Sequence, residues 1–299
     1  MDKIPDGTAV DLGAAETSAV IRGDTLTVTI DRPEKRNALT ADGYHGIKRA
    51  AMVVADEPGL QFLVIRGTDD SFCAGGDLSG VPASDSRWDP FTEAYETTPF
   101  ETLGRIPKTV VCAVNGVCLG GGLVMCLYAD LVIASDRARF RIPDLTRGVY
   151  EAFIAARLPQ RVGTLRANHL LYEAEWFDAE TALDLGIVGR VVPSDDLEAE
   201  LGSLLGRVRR TAPAARAAMK AEMSRALPKV DSAGYWSSIG TAEQIEAWAA
   251  FMDKRDPLWP TDHARDGFVA TRRHYWMPSD EAPPGTESDD DAKSPESEE

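Results

Sequence analysis

Four short runs of branched and aromatic apolar residues, "LTVTI", "LQFLVIRG", "KTVVCAVNG" and "LVIAS", recur along the first half of the chain. Between them lie segments whose apolar residues fall at helical spacing. A run that is apolar at nearly every position is a strand covered on both faces. Strands of that kind alternating with helices pair in parallel, with the helices as crossovers, so the chain reads as α/β. Within this frame "AVIRGDTLTVTIDRP" is a strand, a tight turn at Gly23-Asp24 and a second strand ended by Pro33. "TADGYHGIKRAAMVVADEP" is a helix capped by Thr40 or Asp42 that closes before Pro58. "GGLVMCLYAD" is a helix packed on every side, and "ARFRIPD" an extended piece. From "EAFIAARLPQRVG" onward the pattern is helical, with one extended interruption at "GIVGRVVPSDDL".

The expected organisation is a flexible arm over 1–17, an α/β core over 18–195, a helical region over 196–277 and a disordered acidic tail over 278–299. In the tail, "SDEAPPGTESDDDAKSPESEE" carries nine acids and one lysine, which is −8 of the chain's net −16. With no large apolar residue it has nothing to bury. The acidic balance argues against nucleic-acid binding, and no run of about 18 apolar residues suits a membrane span. At 43% hydrophobic over 299 residues the chain can build a core without disulfides. Cys73, Cys112, Cys118 and Cys126 form no CxxC pair and read as small core residues in a reducing, cytoplasmic setting. His45, His169, His263 and His274 are scattered, and no metal site is expected.

Two glycine clusters carry the chemistry. "NGVCLGGGL" and "SFCAGGDLSG" each follow a buried run and open what comes next, at the strand ends where α/β sheets bind ligands. Glycine lets a ligand reach the main chain, and the first N–H groups of a helix are unpaired and face outward. One amide from each turn makes a two-donor pocket for a phosphate or a developing oxyanion. The Gly120-Gly121-Gly122 run is neither GxxxxGK[ST] nor GxGxxG, which weakens phosphate. Asp77 is placed to cap the helix after the second turn.

Four linked stretches, "IDRPEKRNALT", "FCAGGDL", "AVNGVCLGGGL" and "ADLVIAS", resemble the crotonase, or enoyl-CoA hydratase/isomerase, superfamily in order and spacing, over about residues 18–277. The resemblance implies a spiral of ββα units with a C-terminal helical region. It also implies an acyl-CoA thioester as substrate, no cofactor beyond that coenzyme A, and assembly as a homotrimer or dimer of trimers. By position Gly76 and Gly121 match the two oxyanion donors. Lys35 or Arg36 would meet a CoA phosphate, the backbone near Ala38 and Ala74 the adenine. Gly75, Asp77, Leu78, Val117, Gly120, Val124 and Pro143 complete the expected contacts, with Arg272 and Arg273 as further candidates.

Hydratases of that superfamily carry two glutamates around one water. The position of the first is Val124 here, which cannot move a proton; the position of the second is Asp144. The apolar neighbours Phe140, Ile142, Pro143 and Leu145 are expected to raise its pKa. Seven residues on, Glu151 either faces the site as a second acid or sits in the first turn of a helix, where acids are favourable. Loss of the first acid favours double-bond isomerisation with Asp144 as acid and base. Hydration, thioester hydrolysis and C–C cleavage using Asp144 and Glu151 stay open, as does a catalytically silent acyl-CoA-binding module. Trp88, Phe91, Tyr95 and Phe100 suggest a bulky or cyclic acyl group.

Overall fold

The computed structural model describes residues 4–77, 99–231, 234–235, 238 and 240–259. Strands β1 (Thr8–Ala9), β2 (Thr17–Arg22) and β3 (Thr25–Ile30) lead to α1 (Ala41–Asp56), β4 (Phe62–Gly67) and β5 (Ser71–Cys73). Then come α2 (Phe100–Arg105), β6 (Thr109–Val114), β7 (Val117–Leu119), α3 (Gly121–Tyr128), β8 (Leu131–Ser135) and β9 (Arg139–Arg141). Beyond these lie α4 (Ala152–Val162), α5 (Thr164–Glu173), β10 (Phe177–Asp178), α6 (Ala179–Asp184), β11 (Arg190–Val192), α7 (Leu197–Arg209), α8 (Pro213–Arg225) and α9 (Ala242–Met252).

The strands form two sheets. One runs β1-β2-β3-β4-β6-β8-β11 and the other β10-β9-β7-β5. In the large sheet β3, β4, β6, β8 and β11 are mutually parallel, as the alternating pattern requires. The β2–β3 hairpin is antiparallel through Gly23-Asp24. All six residues of β6 are buried, which is why it reads as an unbroken apolar run. One face of the sheet joins the main core with α1, α3 and α4. The other face buries Phe62, Val64, Val111 and Ile133 under Leu201 and Leu205 of α7.

The small sheet follows from three short pieces, β5, β7 and β9, all parallel. Three residues are too few to show an alternating period, so β7 was not separable from the strand before it. The stretch 4–17, expected as a loose arm, instead lays Thr8–Ala9 against β2 and buries Leu12. The free edge of β2 supplies the unpaired groups that hold it. The acidic tail and the aromatic stretch containing Trp88, Phe91 and Tyr95 lie outside the described residues. Among the described residues no helix is long and apolar enough to cross a membrane. All four cysteines are free and buried, as core packing requires.

Candidate active site

The loop after β3 builds one wall. Asn37, with no exposure, takes φ +57° and spends its side chain on backbone. Its Nδ2 donates to Thr68 O (3.0 Å) and Ser71 O (2.7 Å), while its Oδ1 accepts from Arg32 N (2.8 Å). The loop therefore lies against the turn after β5. Ala74 N donates to Arg36 O (3.0 Å), Leu39 N to Gly75 O (2.8 Å) and Asp77 N to Leu39 O (2.8 Å). The last two are a parallel bridge centred on Gly76. In such a bridge the central residue's own N–H faces the opposite side, and no described residue accepts it.

The second glycine turn meets the first. Gly75 (φ +86°) and Gly120 (φ +43°) both need the left-handed region that glycine tolerates. A Cβ on Gly75 would lie 3.3 Å from Gly121 N. Gly121 is the first residue of α3, so its N–H has no intrahelical acceptor. Two amides with no acceptor among the described residues thus stand on touching turns at the ends of adjacent strands β5 and β7.

These turns open on a cavity of about 600 Å³. Of the residues named from the sequence, Lys35, Arg36, Ala38, Ala74, Gly75, Gly76, Asp77, Gly120, Gly121, Pro143, Asp144 and Glu151 line it. Leu78, Arg272 and Arg273 lie outside the described residues. Two expected contacts do not join the wall. Val124 is fully buried in the core on the inner face of α3, and Val117 belongs to β7, whose register pairs it with Ser71. Asp77 Oδ2 meets Arg32 Nη1 at 2.6 Å, fastening the loop to the turn, and the segment it is expected to cap lies outside the described residues.

Asp144 opens a 3-10 turn (Asp144–Arg147) directly after β9. A Cβ on Gly120 would be 3.8 Å from its Oδ1. Its Oδ2 is shut from solvent and has no hydrogen-bond partner. Burial raises the Asp144 pKa to about 6, with its own backbone hydrogen bond and Arg147 pulling the other way. The apolar setting is partly as expected: Phe140 and Ile142 are fully buried, but Leu145 turns outward at 39% exposure.

Glu151 stands just ahead of the first turn of the helix that follows and also faces the cavity. It is the N-cap of α4, with Oε1 accepting from Phe153 N at 3.1 Å. Burial, and secondarily the neighbouring Asp144, raise its pKa to about 8. Burial thus favours the protonated form of both carboxyls, with Glu151 holding its proton to higher pH than Asp144, a difference suited to taking a proton at one atom and giving one at another.

Several wall residues gave no signal in the sequence. Tyr44, Arg147, Phe153, Gln244, Trp248 and Phe251 reach the cavity from α1, the 144–147 turn, α4 and α9. Helix α9 roofs the Asp144 turn, with Arg147 stacked 3.7 Å above the Phe251 ring. These are contacts between elements about a hundred residues apart, invisible to local pattern. A second cavity, about 710 Å³, lies between α7, α8 and the sheet. Its carboxylate, Asp130, is already held by Lys220 Nζ (2.7 Å) and Val110 N (2.8 Å), so no free acid faces it.

The family model described as enoyl-CoA hydratase/isomerase matches residues 21–262. The chain belongs to that family. A crotonyl-CoA hydratase of Syntrophomonas wolfei is 32% identical over 236 residues, 76% of this chain and 90% of the relative. A carnitinyl-CoA dehydratase of Proteus mirabilis is 31% identical, over 80% and 95% of the two chains. A solved enoyl-CoA hydratase/isomerase from Pseudoalteromonas atlantica superposes with a TM-score of 0.71 at 28% identity, covering 82% of this chain and all of that one. The two-sheet architecture is accordingly the crotonase fold, and the family's enzymes act on acyl-CoA thioesters.

Proposed function

We propose that this enzyme stabilises an acyl-CoA enolate at the Gly76 and Gly121 amides and moves protons with Asp144 and Glu151, migrating a carbon–carbon double bond. Asp144, the stronger acid of the two and ionised near pH 7, removes a proton from the carbon alpha or gamma to the thioester. The electrons pass onto the carbonyl oxygen, held by the two amides. Protonated Glu151 then delivers a proton at the other end of the conjugated system. The carboxyls return to their starting states by exchange, and no group beyond the chain and the thioester is required.

The observation that carries this reading is the pair itself, two half-buried carboxyls of unequal pKa facing one cavity, with no acid on α3. Removing an oxyanion donor or a positioned acid–base group costs a factor of about 10² to 10⁴ in rate. A second reading, hydration, is favoured by the hydratase and dehydratase names of the relatives, with Glu151 substituting for the missing acid. Incubating β,γ- and α,β-unsaturated acyl-CoAs with the enzyme in H₂¹⁸O separates the two. Migration of the double bond without ¹⁸O in the product supports isomerisation; a hydroxyacyl product carrying ¹⁸O overturns it in favour of hydration.

A further inference from the structure

The hydroxyl of Tyr44 takes no part in the steps above, yet it sits at their centre. Tyr44 lies near the start of α1, is 5% exposed and packs edge-on against Phe100, ring centroids 5.8 Å apart. Its side chain lines the active-site cavity. Its Oη has no hydrogen-bond partner among the described residues. The ring is buried but the hydroxyl is open to the cavity, so its partner is whatever fills that cavity.

Its placement says which atom of an occupant it meets. A Cβ on Gly121 would lie 2.1 Å from Tyr44 Oη. Ordinary covalent geometry separates that Cβ from Gly121 N by about 2.5 Å, so Oη is within about 4.6 Å of the amide nitrogen. An oxygen accepting from the Gly121 N–H would enter the same stretch of cavity wall that carries the phenol. Burial first, then the charges of Cys73, Glu151 and Asp144, push the phenol pKa far up. The proton therefore stays on Oη, and the group is a permanent donor.

We propose that Tyr44 Oη is a third hydrogen-bond donor to the thioester oxygen, beside the Gly76 and Gly121 amides, and that it binds the enolate more tightly than the uncharged thioester. This rests on the enolate reading above. No proton is transferred; the hydrogen bond strengthens as negative charge builds on the oxygen.

The test compares two ligands by calorimetry: the nitronate of 2-nitropropionyl-CoA, which carries enolate-like charge, and butyryl-CoA, which does not. Wild type is expected to prefer the nitronate, and Tyr44→Phe to cut that preference by about tenfold to a hundredfold while butyryl-CoA binding holds within about threefold. A Tyr44→Phe protein that keeps the full preference, or loses both ligands equally, overturns the third donor. Incorporating 3-fluorotyrosine at position 44 keeps the shape and sharpens the donor. It is expected to raise the preference, and an unchanged preference overturns the proposal even if the phenylalanine variant folds poorly. Absence of any nitronate preference in wild type fells the enolate reading itself, and the third donor with it.

Discussion

Glu151 lies close enough to Asp144 for the charge of one carboxyl to raise the pKa of the other. Because burial lifts both, to about 6 for Asp144 and about 8 for Glu151, the active protonation state occupies a window between them. The rate is expected to rise with pH through about 6 as Asp144 ionises and to fall through about 8 as Glu151 ionises. A bell-shaped kcat/KM profile in the wild type checks this. Glu151→Gln should lose the alkaline limb, and Asp144→Asn should be slower by about a thousandfold.

The same shifts set a stability cost. Each carboxyl has a folded pKa above its ordinary value, 3.8 for Asp and 4.5 for Glu. The fold keeps protons that the unfolded chain has already released, so stability falls as pH rises from about 4 to about 8. Replacing either acid by its amide removes that loss. Asp144→Asn and Glu151→Gln are each expected to melt higher than wild type at pH 8, by on the order of 1–2 kcal/mol once screening by cavity water is allowed for, and to show no gain at pH 4. Calorimetric melting at the two pH values reads this directly.

Much of this arrangement was legible in the residues. The long buried strands declared themselves as apolar runs because both faces are covered, and the glycine turns because only glycine tolerates the backbone of Gly75 and Gly120. What stayed hidden depends on distance in space. β7 and β9 are three residues each, below the length at which a period shows. Val124, expected at the position of a first acid, packs into the core, since the α3 position it occupies turns inward. Tyr44 reads as one more apolar position of a helix, and Asn37 as an ordinary turn residue. Only the approach of α1 to Gly121, and of residues 36–39 to 74–77, gives them their roles.

Gly121 should tolerate no side chain. A methyl there would sit 2.1 Å from Tyr44 Oη and 3.1 Å from its Cζ. Gly121→Ala is expected to destabilise the fold by about 1–3 kcal/mol, the usual cost of overpacking. Tyr44→Phe in the same chain removes the colliding oxygen and should recover part of that loss. A double-mutant cycle in urea measures the coupling, and simple additivity would contradict the contact.

Lys220 is 7% exposed and its Nζ donates to Leu103 O (2.9 Å), Lys108 O (3.0 Å) and Asp130 Oδ2 (2.7 Å). One ammonium thus joins α8 to α2, to the residue before β6 and to the turn between α3 and β8. Lys220→Met leaves the Asp130 carboxylate without its cation, and should cost about 3–5 kcal/mol in chemical unfolding. Adding Asp130→Asn should restore part of it. Neither change touches the Asp144 cavity, so the surviving folded protein should keep its pH profile.

The central claim is that Asp144 takes a carbon-bound proton while the Gly76 and Gly121 amides hold the resulting oxyanion. Hydrogen–deuterium exchange at the alpha carbon of a saturated acyl-CoA in D₂O, followed by mass spectrometry, tests it without knowledge of the natural acyl group. Wild type is expected to wash deuterium into the alpha position, and Asp144→Asn to slow that exchange by about a thousandfold while still binding the ligand. Exchange undiminished in Asp144→Asn, or tight binding by wild type with no exchange at all, would contradict the account.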